Sequence, residues 1–140
     1  MVAHKRTIQP GGTRGTVFKA AARARLEDAG VLLREKRYAG AIYLAGYAVE
    51  CLLKWAITRR QQRLHLPAEF EIHSLDRLLL EAGLAEALHR ETAVRDTFAA
   101  LADSWGPELR YLARAPEPRE ADKLYGDTSR VYVWITEQTI

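Results

Sequence analysis

Apolar positions are not spread evenly along this chain. Across residues 38–58, YAGAIYLAGYAVECLLKWAIT, Glu50 and Lys54 are the only charged side chains and proline is absent. A stretch this long and apolar on every side predicts a helix packed all round by other helices. Ala41, Ala45, Gly46 and Ala48 let neighbouring backbones come close. Gly40 and Gly46 weaken intrinsic helix propensity, so packing has to supply the stability. Glu50 and Lys54 stand one turn apart, acid first, the favourable order for a helical ion pair. The length also suits a bilayer, but the uncharged part ends at Val49, short of the ~20 apolar residues a span needs. An acid and a lysine then follow inside the window, which hydrocarbon disfavours. A core helix is expected, with no membrane contact.

Ahead of it, Phe18, Ala22, Leu26, Ala29 and Leu33 recur at three- and four-residue steps, predicting a helix from a Thr16 cap to about Glu35. Only Lys36 and Arg37 separate the two, so they should form an antiparallel hairpin. Behind it, the basic run Arg59, Arg60 and Arg63 suits a helix C-terminus, and residues 66–73 should be a loop containing Pro67. Ser74 reads as the cap of a short helix with Leu75, Leu78, Leu79 and Ala82 inward and Gly83 at its close. A helix over about 84–103, interrupted near His89, should bury Val94, Phe98, Leu101 and Ala102. Gly106-Pro107 punctuates the chain, leaving 108–118 irregular or a single turn. A last helix from Pro118 carries Ala121, Leu124, Tyr125, Thr128, Val131, Tyr132 and Ile135 as its inward stripe. No stretch alternates with period two for long enough to make a strand. The expected architecture is an all-α bundle of four to five helices over residues 16–140, behind a flexible basic arm at 1–15.

The 140 residues suit one domain, and a net charge of +3 permits contact with a polyanion without requiring it. Cys51 is the only cysteine, which excludes an internal disulfide and a cysteine zinc cluster. His4, His65, His73 and His89 share no metal spacing, and no phosphate-binding glycine loop or nucleophile elbow occurs. No cofactor and no metal are expected. The N-terminus lacks the apolar run of a secretory signal, so the expected location is cytoplasmic.

The chain resembles the HEPN domain family, the higher eukaryotes and prokaryotes nucleotide-binding domains. The resemblance rests on Arg37-Tyr38 followed by Ala41, on the tyrosine- and alanine-rich 43–49, and on Glu50…Lys54 of the same helix. It continues through His73-Ser74-Leu75, Ala82-Gly83-Leu84, Arg110-Tyr111 and Trp134-Ile135, covering about residues 16–138. It implies a helical bundle that usually dimerises and acts in toxin–antitoxin or phage-defence systems or beside a nucleotidyltransferase. Many members are metal-independent ribonucleases with an arginine, four to six residues, then a histidine in the second half of the domain. Here no histidine follows Arg110 or Arg114, and the spacing is matched instead by Arg60…His65 at the end of the central helix.

Two functions are therefore expected in order of preference. The first is a nucleotide- or RNA-binding, partner-dependent module of a defence or stress system without its own catalytic pair. Its contacts would come from Glu50, Lys54, Trp105, Arg110 and Tyr111, with an antitoxin or nucleotidyltransferase as partner. The second is an endoribonuclease in which His65 moves the 2′-hydroxyl proton and Arg60 stabilises the phosphorane. A buried Glu50 needs a partner, and Arg110, free to aim inward after the Gly-Pro break, is expected to meet it with Lys54 alongside. His73 is expected to bond backbone at the start of its helix. Tyr43, Tyr47, Trp55, Tyr132 and Trp134 offer more aromatic surface than one small bundle easily hides, which favours a homodimer.

Overall fold

The computed structural model describes residues 12–112 and 116–139. Among these, six α-helices follow one another: α1 (Gly15–Arg34), α2 (Tyr38–Gln61), α3 (Leu75–Glu81), α4 (Ala85–Arg90), α5 (Thr92–Ser104) and α6 (Pro118–Gln138). Single 3₁₀ turns occupy Ala68–Phe70 and Pro107–Tyr111. The class is all-α, as the sequence implied. The count exceeds four to five because the fourth helix, expected to be interrupted near His89, is cut into two at Glu91, whose φ of −100° and ψ of 81° leave the helical region. Neither glycine nor proline marks that break.

α2 is the axis of the bundle. From Ala45 to Thr58 every residue except Tyr47 is buried. It is also the one described helix long and apolar enough to cross a membrane, yet 72% of its most apolar window is buried inside the protein, as in a core helix. It runs nearly a turn past Thr58 because Arg59, Arg60 and Gln61 are good helix formers. Gln62, left-handed at φ 53°, then closes it, with Gln62 N–H donating to the Arg59 carbonyl and Arg63 N–H to Thr58.

α1 folds back on α2 as an antiparallel hairpin, so Gly40 faces Leu32 at one end and Gly15 faces Thr58 at the other. A Cβ on Gly15 would lie 2.0 Å from Thr58 Oγ1, so glycine is what lets the two backbones close there. α1 starts one residue before the expected Thr16 cap, with Arg14 in the cap position and no side-chain cap bond. Of the expected arm, residues 1–11 lie outside the described residues. Its last four are tied to the loop after α2: Leu66 N–H donates to Thr13 O at 2.8 Å and Gly15 N–H to Leu64 O at 2.9 Å.

Ser74 caps α3 as expected, its Oγ accepting from Arg77 N–H at 3.3 Å, and Gly83 follows the helix at φ 76°. α6 packs on α2 and α5 through Ala121, Thr128, Val131, Trp134 and Ile135. Leu124, Tyr125 and Tyr132 of the expected stripe are half-buried. Trp55 and Trp134 are buried, so the surplus aromatic surface expected of them is absorbed by this bundle itself.

Candidate functional site

Glu50 sits on the most buried stretch of α2 and is 1% exposed. Lys54, one turn on, donates from Nζ to Glu50 Oε2 at 3.0 Å, and Nδ1 of His73 lies 3.0 Å from Oε1. Both carboxylate oxygens are thus engaged, which is what a buried charge requires. The Lys54 ammonium also lies 5.6 Å from the centroid of the Phe18 ring on α1. His73 arrives on the loop just before the Ser74 cap, so the α3 start fixes where its ring can reach. The ring is 56% exposed, half in solvent and half over the ion pair.

Arg110 does not meet Glu50. It lies on the exposed 3₁₀ turn, its guanidinium 5.1 Å from the Tyr111 ring, and Tyr111 first and Tyr43 second strengthen its hold on its proton. The expected Glu50–Arg110 pair is therefore replaced by Glu50–His73, because Lys54 and His73 already occupy the carboxylate. His73 likewise bonds this side chain, not the backbone expected of it.

Trp105 is buried and gives no free face to a base. Its indole lies on Gly46, where a Cβ would come within 2.2 Å of Nε1, and that nitrogen donates to the Tyr43 carbonyl at 3.1 Å. Tyr43 stacks on Trp105 at 6.1 Å and on Tyr47 at 6.2 Å between centroids. Tyr111 is 75% exposed. Beside this stack the Tyr47 hydroxyl meets Cys51, which pushes the phenol up to about 12, with burial second. Burial in turn pushes the Cys51 thiol up to about 11. A thiol held in its neutral form is no nucleophile at neutral pH.

Arg60 and His65 are not joined by a hydrogen bond. Arg60 Nη1 donates to the Glu81 carbonyl at the end of α3, at 2.9 Å, and its side chain fills the space over Gly83. His65 pairs its backbone with Arg14 as an isolated antiparallel bridge.

The feature that sequence reasoning missed lies around the same helix end. A cavity of about 410 Å³ opens where the start of α1 meets the end of α2. Arg14, Arg59 and Arg63 line it with Thr16, Trp55 and Gln62, and no carboxylate lines it. Trp55 is held under two cations, Lys19 Nζ at 4.5 Å and the Arg59 guanidinium at 5.8 Å from its ring centroids. A second cavity of about 300 Å³ on the far side of Arg59 takes in Arg60 and the end of α6, again without an acid. The arginine run after Thr58 was the available signal, but it reads equally as a helix end completing its dipole.

The HEPN domain family model matches residues 17–138. No curated protein and no solved structure matches the chain. The match takes in all of α2 to α6 and nearly all of α1, including the Glu50–Lys54–His73 cluster and the arginines at the end of α2. The chain belongs to the HEPN domain family.

Proposed function

We propose that this HEPN chain binds nucleotide or RNA as a partner-dependent module of a toxin–antitoxin, defence or stress system, and that it lacks a catalytic pair of its own. The observation that carries the binding half is the acid-free cavity lined by Arg14, Arg59 and Arg63. Three arginines lining one cavity with no carboxylate leave its positive charge without a partner there, and an anion offsets it; phosphate suits their planar forks. Engagement of Arg60 with the Glu81 carbonyl supports the second half, because a phosphorane would have to draw it away. A homodimer, or a complex with an antitoxin or nucleotidyltransferase, fits the exposed Tyr111 and Leu112 beside the half-buried Tyr43.

Fluorescence anisotropy with labelled RNA and with a labelled nucleotide tests the reading. Arg59→Gln with Arg63→Gln should weaken binding by roughly ten-fold or more and flatten its salt dependence. Unchanged affinity in that variant refutes the site. In EDTA the purified chain should leave RNA intact; cleavage abolished by His65→Ala would establish the endoribonuclease reading instead. Light scattering alone and with co-expressed neighbours checks the partner.

A further inference from the structure

The arginine-lined cavity does not end at α1. Thr16 also lines a cleft of about 540 Å³ between α1 and α6, whose walls include Ala20, Ala24, Leu52 and Tyr132 and whose rim carries Lys19 and Arg23. Thr16, Lys19, Ala20, Arg23 and Ala24 recur at three- and four-residue steps, so they form one stripe along α1. Lys19 stands at the junction, since its ammonium lies over Trp55, which lines the first cavity. Cations therefore run without interruption from Arg59 and Arg63 past Arg14 and Lys19 to Arg23. Arg14 to Arg23 alone spans about 14 Å at 1.5 Å per residue. The one carboxylate in the cleft, Glu27, lies 3.5 Å from Arg23, with both side chains mostly in solvent, a weak pair that a phosphate can replace.

The floor beneath this track changes along its length. In the first cavity it is Trp55, only 7% exposed and covered by cations, so it cannot stack on a base. In the second it is alanine, leucine and the half-exposed Tyr132 ring. A line of cations leading to an apolar, aromatic cleft matches an extended single strand, whose phosphates are regular and whose base faces are free. A duplex hides those faces, and a lone nucleotide cannot reach both ends.

Resting on the nucleic-acid reading above, we propose that the ligand is a single strand lying along α1. Its phosphates meet Arg59, Arg63, Arg14, Lys19 and Arg23, and a base enters the α1–α6 cleft against Tyr132. The test compares a single-stranded RNA of about ten nucleotides, the same RNA as a duplex, and AMP. Wild type should bind the single strand about ten-fold tighter than either. Lys19→Gln with Arg23→Gln should weaken the single strand by about ten-fold, make its log–log salt slope shallower by about 1.4, and leave AMP unaffected. Tyr132→Leu should weaken the strand without changing the salt slope. Both changes to glutamine fall on exposed helix positions, and a thermal melt matching wild type confirms that the fold is intact. If the single strand binds the Lys19/Arg23 variant as well as wild type while Arg59→Gln with Arg63→Gln abolishes binding, the track is wrong and the cavity stands. Equal affinity for duplex and single strand also overturns it. If no nucleic acid or nucleotide binds wild type, the proposed function falls first.

Discussion

Removing the Glu50 carboxylate is the most informative single perturbation. Glu50→Ala deprives two groups of their acceptor, and the two fare differently. His73 is more than half exposed and can turn to water. Lys54 cannot, since its side chain is 8% exposed and faces α1 near Phe18. Orphaning one member of a buried pair costs about 3–5 kcal/mol. For a chain of this size about 3 °C accompanies each kcal/mol, so the variant should melt roughly 10–15 °C below wild type at pH 7. Glu50→Gln with Lys54→Met, which removes both charges while keeping volume, should recover most of the loss. Differential scanning calorimetry reads both variants. A Glu50→Ala protein melting within about 2 °C of wild type, or a double variant that melts no higher than Glu50→Ala, would refute the assignment of Lys54 as the orphaned charge.

Arg110→Ala should change stability by no more than about 0.5 kcal/mol, since the residue is exposed and makes no ion pair among the described residues; a larger loss in urea melts would restore a role for it in the interior. Gly46→Ala and Gly126→Ala should move in opposite directions. A methyl at Gly46 displaces the Trp105 indole and its bond to Tyr43, costing about 1–3 kcal/mol, whereas Gly126 has nothing within 4 Å of its Cβ and should gain about 0.5–1 kcal/mol of helix propensity. Cys51 holds its proton more tightly folded than unfolded, from 9.0 to about 11, so its contribution is fully present below pH 9 and is lost as pH climbs towards 11. Cys51→Ala should therefore reduce alkaline destabilisation in that window, and the native thiol should resist a disulfide reagent at pH 8 until denaturant is added.

The helices were legible because each rests on a local rule. Ser74 caps its helix with its own Oγ, Pro118 opens α6, and the unbroken apolar run on α2 can be satisfied only by burial on every side. The start of α1 was misplaced by two residues because Thr16 looked like a cap, while tertiary bonds from Leu64 and Leu66 to the preceding segment of chain decide where the helix begins. The interruption expected near His89 falls two residues later, at Glu91, where neither glycine nor proline fixes its place. The ion pair shows the sharper limit. That Glu50 would be buried and paired followed from the helix it stands on, and Lys54 followed from the four-residue spacing. Which distant residue supplies the other partner depends on the path of a loop, and nothing in a sequence ranks Arg110 above His73 except the strength of the charge. Charge alone was the wrong criterion: a carboxylate already neutralised by Lys54 lacks one hydrogen bond, not one cation. An imidazole nitrogen supplies that bond without bringing a guanidinium out of water, so the weaker group is the less costly partner. The same reasoning leaves Arg110 on the surface.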